Sequence, residues 1–77
     1  MSHLKVLPFV GLAKVAHWAG FREARRKGSH VSFKHADGRI VVIPDHGRHE
    51  IVRPLLRKII RDLGLTVEQY NEALASV

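Results

Sequence analysis

The sequence lacks cysteine altogether, has few aromatic residues and contains no long apolar run. Without cysteine, the chain forms neither a disulfide nor a thiolate zinc site. No segment approaches the roughly 20 apolar residues that a membrane-spanning helix needs, so we expect a cytoplasmic protein with no membrane partner. The aromatic residues are not spaced as in an RNP motif, so the sequence does not predict the recognition of particular bases.

Acidic residues are also scarce relative to basic ones. The 77 residues include 13 Lys and Arg against 7 Asp and Glu, which leaves a net charge of +6 and a pI near 10.6. A chain of this length builds one core and no deep pocket, so we predict a single domain over residues 1–77 that acts on a large ligand. The charge favours a polyanion such as nucleic acid. The alternative is a basic soluble protein with no polyanionic ligand.

The first third of the chain predicts one helix followed by a change of period. Pro8 suits the first turn of this helix and Gly20 suits its end. The stretch FREARRKG after it has only two apolar residues and is a poor strand by itself, joined to the next strand by a turn at Lys27–Ser29. The apolar residues at helical spacing are Phe9, Leu12, Ala13, Ala16 and Ala19.

A hairpin and two further helices are predicted from the rest. HVSFKH alternates, Asp37-Gly38 is a strong hairpin signal, and IVVI (40–43) is apolar on both faces, as in a covered strand. Helix two runs from about Pro54 to a C′ glycine, Gly64, and Thr66 to Gln69 form a capping box for a last helix. The predicted apolar positions are Leu55, Leu56, Ile59, Ile60 and Leu63 in helix two and Val67, Tyr70, Leu74 and Val77 in the last helix.

The predicted order α-β-β-β-α-α defines an α+β fold. We expect a three-stranded antiparallel sheet with the helices packed on one face. The other face is then open, and its candidate residues are His30, Ser32 and Lys34, which alternate with Val31 and Phe33 along one strand.

The four residues Lys27 to His30 offer the groups that RNA cleavage requires in the absence of a metal. Attack by the 2′-hydroxyl needs a proton acceptor, a proton donor for the leaving oxygen, and positive charge beside the phosphate. Histidine suits both proton roles near neutral pH. Lys27 would supply charge, and the Gly28 amide and the Ser29 hydroxyl would bind a phosphate oxygen. Considered locally, however, a histidine beside a turn is more often a solvated polar residue.

A metal site is an alternative use for the histidines. His46 and His49 lie in the stretch DHGRHE, and His35 is the third candidate ligand. The helical spacing His-x-x-x-His is missing, and basic neighbours repel a cation. We therefore expect no native metal and no cofactor, and we expect His3 and His17 to face solvent.

The basic residues fall into two groups along the sequence. One group, Arg53, Arg57 and Arg61, recurs at every fourth position of helix two, where like charges repel. This group forms a solvated face, a track for phosphates or a surface for an acidic protein. Trp18 lies off the apolar stripe of helix one and either covers the core edge or belongs to a partner surface. The first group is Arg22, Arg25, Arg26 and Lys27, and the second is Arg53, Arg57 and Arg61.

Several motifs together resemble one known family. They are the helix ending in Gly20-Phe21, the turn Lys27-Gly28-Ser29-His30, Phe33, Asp37-Gly38-Arg39, the strand closing on Pro44, His46, and the stretch LLRKIIRDLGLTVEQY. From about Leu12 to Tyr70, the chain resembles the HicA-type toxins, the mRNA interferase halves of bacterial HicA–HicB toxin–antitoxin pairs.

The resemblance implies a double-stranded-RNA-binding-like fold with endoribonuclease activity. It matches the family's catalytic histidine to His30, and it makes His46 a second proton-transfer group or a loop anchor. The expected partners are RNA, specifically mRNA, and a HicB-type antitoxin that covers the site, with oligomers forming only through that complex. The main alternative is a non-catalytic RNA-binding module of the same fold, because no paired carboxylate accompanies the histidine. A DNA-binding or purely protein-interaction domain ranks lower, because no recognition helix with base-reading side chains is visible. The predicted RNA-binding residues are Arg25, Arg26, Lys27, Gly28, Ser29, Ser32 and Lys34.

Overall fold

The computed structural model describes residues 4–77 as one three-stranded sheet with helices on a single face. The strands pair in the order β1-β2-β3, and both pairings are antiparallel. The predicted α+β class, the element order and the double-stranded-RNA-binding-like arrangement are therefore confirmed. In chain order the elements are α1 (Phe9–Trp18), β1 (Phe21–Lys27), β2 (His30–His35), β3 (Ile40–Pro44), α2 (Arg53–Asp62) and α3 (Val67–Ser76).

The helices begin and end where the local sequence predicts. Pro8 is the N-cap of α1, and its carbonyl accepts hydrogen bonds from the amides of Gly11 and Leu12. Gly64, with φ +77°, closes α2, and the Leu65 amide donates to the Ile60 carbonyl in a Schellman motif. The capping box of α3 is present in full. In the described part of the chain, none of the helices combines the length and the apolar character needed to cross a membrane.

The core lies between the sheet and the helices. Val31 and Phe33 of β2 and Val41 and Ile43 of β3 are almost completely buried there. Tyr70 is also fully buried, its hydroxyl donates to the Lys5 carbonyl, and burial raises the pKa of this hydroxyl to about 12. The other residues of the core are Leu4, Leu12, Val15, Ala16, Phe21, Ile51, Leu56, Ile59, Ile60, Leu63 and Ala73.

An extra residue in β1 decides which side chains share a face of the sheet. Glu23 pairs with Phe33, but the next pair is Arg25 with Ser32, so the register shifts at Ala24. Such a bulge reverses the alternation of the strand. Without it, Arg25 would lie on the same face as Glu23, which is the helix side.

The bulge places Arg25 and Lys27 on the face that no helix covers, which we call the open face, and Arg22 lies on this face before the bulge. Its residues form three cross-strand rows, and each row contains one residue from each strand. The rows are Lys27–His30–Pro44, Arg25–Ser32–Val42 and Arg22–Lys34–Ile40.

Three of the apolar positions that were predicted to be buried are exposed, so the prediction is wrong for them. Ile40 and Val42 are 61% and 46% exposed, so β3 is not covered on both sides; with helices in one layer only, its outward residues meet solvent. Val77 is 53% exposed because it follows the last residue of α3, and the buried residue in the last turn is Ala73.

Candidate functional site

His30 is the first residue of β2 and follows a two-residue turn. Gly28 has φ +59° and Ser29 has a negative φ, which is the pattern of a type II′ hairpin turn. A side chain at Gly28 would meet no atom within 4 Å, so the outer surface of the turn is open to a ligand. The imidazole of His30 is exposed, as predicted.

Beside this turn lies a groove of about 400 Å³ on the open face. It brings together four of the residues predicted from the sequence and one apolar residue, and we call it the cationic groove. Within residues 4–77, neither of its basic side chains belongs to an ion pair. The lining residues are Arg25, Lys27, His30, Ser32 and Val42.

A second groove, of about 390 Å³, adjoins the first at its His30 end. We call it the histidine groove because it contains His46 as well as His30. The two histidines that the family resemblance singles out, His30 and His46, therefore line one depression, which runs between the end of the sheet and α2. The lining residues are His30, Val42, Pro44, His46, Leu55 and Lys58.

The loop that carries His46 is bound to the turn that carries His30. The Asp45 amide donates to the Ser29 carbonyl at 2.6 Å. The Asp45 carboxylate accepts from the Gly47 amide at 3.0 Å and from the Arg26 guanidinium at 2.9 Å. These two donors, the amide first, hold the pKa of Asp45 below its ordinary value of 3.8. The positions of the two histidines are therefore linked through Asp45.

Arg26 does not lie on the open face. It pairs with Val31, its guanidinium lies 5.4 Å from the Phe9 ring centroid, and it forms the ion pair with Asp45. Its observed contacts are thus those of a residue that connects β1 to the β3 end, on the helix side of the sheet.

The third row of the open face lies farther from His30. Lys34 is exposed there, two residues beyond Ser32 along β2. The Arg22 guanidinium turns toward the carbonyls of Phe21, at 2.8 Å, and His17, at 3.4 Å.

The other histidines do not join His46. His35 lies at the opposite end of β2 from His30, packs edge-on against Phe21 at 5.1 Å, and contacts the Asp37 carboxylate at 3.1 Å. His17 is exposed beside Phe33, and His49 is exposed in the loop after β3. Over residues 4–77, no three His, Cys, Asp or Glu side chains come together as metal ligands. His3 lies outside the described residues.

Sequence reasoning missed the apolar and α2 side of the site. The residue pairs of the β2–β3 hairpin are symmetric about Asp37. The register of this hairpin would therefore have placed Pro44 beside His30 and Val42 beside Ser32. Leu55 and Lys58 had no such signal, because their approach depends on how α2 packs against β3.

A comparison with known families finds one family model that matches most of the chain. The family model described as the HicA toxin of bacterial toxin–antitoxin matches residues 12–65, which include the turn, both grooves and α2. The chain belongs to this family, so the predicted resemblance is confirmed, and the family implies an antitoxin partner. No curated protein matches the chain.

Proposed function

We propose that the protein is a metal-independent endoribonuclease, an mRNA interferase that a HicB-type antitoxin neutralises. The observation that carries the proposal is the exposed His30 imidazole at the open turn, in one groove with Arg25 and Lys27. Membership of a toxin family supports it, because a toxin must act on a cellular target.

His30 is the proton-transfer group in the proposed reaction. It accepts the proton of the ribose 2′-hydroxyl as that oxygen attacks the adjacent phosphorus, or it donates a proton to the 5′-oxygen as the P–O5′ bond breaks. The products are a 2′,3′-cyclic phosphate and a free 5′-hydroxyl, so no water or metal enters the first step. His46 is the second histidine available for the complementary proton transfer.

The groups around His30 suit the charge that develops on the phosphate. Lys27 and Arg25 lie in the same groove and provide positive charge. The Gly28 amide and the Ser29 hydroxyl belong to the turn whose outer side is unobstructed. Donors fixed before the reaction stabilise the transition state without reorganisation. Ser32 and Lys34 continue the RNA path along β2.

The antitoxin is proposed to cover the same surface. Ile40 and Val42 leave apolar area exposed next to the cationic groove, and a partner that is acidic and partly apolar would bury both. Oligomers would then form through the antitoxin complex.

The second candidate is a non-catalytic RNA-binding module. The open face carries basic, polar and apolar residues but no carboxylate, so a proton-transfer partner for His30 must come from His46 or from the RNA. If His30 only contacts the RNA backbone, the protein binds RNA and releases it intact.

A His30→Ala variant tests the proposal. Loss of one proton-transfer group is expected to lower kcat/KM for RNA cleavage by about 10²- to 10⁴-fold, with RNA affinity little changed. The exposed position predicts an unchanged unfolding midpoint. The wild-type protein is expected to cleave in excess EDTA and to leave cyclic or 3′-phosphate ends.

Three results would decide against the proposal. Full cleavage by a folded His30→Ala variant removes His30 from the mechanism. Activity that EDTA abolishes and that leaves 5′-phosphate ends indicates a metal-activated water. RNA binding without cleavage by the wild type favours the second candidate.

A further inference from the structure

The histidine groove differs in composition from the cationic groove beside it. Three of its residues are apolar (Val42, Pro44 and Leu55), and two imidazoles and an ammonium complete it. We propose that this groove binds the nucleobase next to the cleaved phosphate, and that the base stacks on the His46 ring against the apolar wall. The inference rests on the proposed ribonuclease function and adds the ligand of a second subsite.

The cationic groove and the histidine groove are continuous. His30 and Val42 line both grooves, so an RNA strand with its scissile phosphate at His30 extends into one groove on each side. Arg25 and Lys27 make the first groove suitable for backbone phosphates. The second groove is then the place for the adjoining nucleoside, whose base has an apolar face to bury.

The side chains that line the histidine groove suit a nucleobase. Every base has a π-face, and proteins that bind single-stranded RNA stack bases on aromatic side chains, histidine included. The ammonium of Lys58 bonds the Asp62 carboxylate at 2.7 Å, but both are partly exposed, so this pair contributes little and the ammonium can turn to a phosphate. The subsite is expected to tolerate all four bases, because its walls offer stacking rather than a hydrogen-bond pattern.

The His46 side chain is available to a ligand. Within the described chain its side chain makes no hydrogen bond, so it does not anchor the loop; Asp45 does, through Ser29, Gly47 and Arg26. The imidazole is exposed on a loop whose backbone is held in place, which suits a surface that receives a flat ligand.

The test combines protein variants with RNA that lacks one base. A short oligoribonucleotide with one mapped cleavage position is prepared intact and with an abasic ribonucleotide at each flanking position. For the wild type, base removal at one position next to the cleaved phosphate is expected to lower kcat/KM about tenfold, the order expected for one stacked base. His46→Ala is expected to show that loss on intact RNA and no further loss on the abasic RNA.

His46→Phe and His49→Ala are the informative comparisons. Phenylalanine stacks but transfers no proton, so His46→Phe is expected to recover most of the loss and the dependence on the base. His49 lies in the same loop outside the groove, and its alanine variant is expected to behave as the wild type. Unfolding midpoints of all variants exclude misfolding as the cause.

The outcomes separate the two proposals. If the wild type cleaves no RNA, the proposed function fails and the subsite fails with it. If the wild type cleaves but no base removal distinguishes it from His46→Ala, the subsite alone is wrong. If His46→Phe is as impaired in kcat as His46→Ala, His46 transfers a proton instead, and the stacking role is overturned.

Discussion

At the scale of single residues, Gly20 and Gly47 both have a positive φ that disfavours other residues, but only Gly20 also lacks space for a side chain. Gly20 joins α1 to β1 with φ +94°, and a Cβ there would lie 2.8 Å from Nε2 of His35. Gly47 has φ +64° but open space around it. Gly20 is therefore restricted both by its backbone conformation and by the His35 side chain, whereas Gly47 is restricted by its backbone conformation alone.

Gly20→Ala is therefore expected to destabilise the fold more than Gly47→Ala. Backbone strain costs about 1 kcal/mol at either site, and displacement of the His35 ring from Phe21 adds about another 1 kcal/mol at Gly20. In a domain of this size, thermal unfolding should show midpoints lowered by roughly 10 °C for Gly20→Ala and 5 °C for Gly47→Ala. Equal midpoints would mean that His35 moves aside at no cost.

At the scale of elements, Asp45 connects three parts of the sheet. It follows β3, bonds the turn between β1 and β2 through Ser29, and pairs with Arg26 of β1. The same carboxylate closes the start of the His46 loop by accepting from Gly47. One side chain thus fixes the relation between the strand ends on which the candidate site is built.

Asp45→Asn is expected to reduce stability in a manner that depends on pH. Because the pKa of Asp45 is lower in the folded chain than in the unfolded chain, its ionisation stabilises the fold above about pH 4, and this contribution is lost as the pH falls through the folded-state pKa. Asparagine can still accept from Gly47 but carries no charge for Arg26.

Urea unfolding at pH 7 and at pH 2 measures the effect. The variant should be less stable than the wild type at pH 7, and the difference should shrink as the pH falls through the folded-state pKa of Asp45, because protonation removes the charge that pairs with Arg26. A difference of the same size at both pH values would show that the ion pair and the lowered pKa of Asp45 do not stabilise the fold.

At the scale of the whole molecule, the charge is divided between two surfaces. The open face carries Arg25 and Lys27 beside His30. The outer side of α2 carries Arg57 and Arg61, which border a separate depression with Leu4 and Ile60. A net charge of +6 favours a polyanionic ligand at both surfaces, and among residues 4–77 only the first surface has a candidate proton-transfer group.

Salt dependence of RNA binding distinguishes the two surfaces. In a His30→Ala background, in which cleavage is expected to be slow, Lys27→Gln is expected to weaken binding several-fold and to reduce the slope of log Kd against log salt by about 0.7, the value for one phosphate contact on a single strand. Arg57→Gln removes the same charge from α2 and is expected to leave the slope unchanged. Equal changes in the two variants would indicate that the overall field, and not the open face, binds RNA.

Much of the fold was predictable because its signals are local. The capping box at Thr66, the C′ glycine at Gly64 and the hairpin at Asp37-Gly38 each lie within a few residues of the structure they specify. The candidate site was predictable only in part. The turn and His30 are contiguous, whereas the approach of Leu55 and Lys58 to His46 requires the packing of α2 on the sheet.

By itself, the sequence determined the order of the elements, their caps and turns, and the presence of an exposed histidine after a glycine turn, because short stretches of chain encode these features. Only the tertiary structure decided which basic residues accompany that histidine. The extra residue at Ala24 moves Arg25 and Lys27 to the open face and moves Arg26 to the helix side, where it pairs with Asp45. Such an assignment depends on hydrogen bonding between strands, and the pattern of one strand does not contain it.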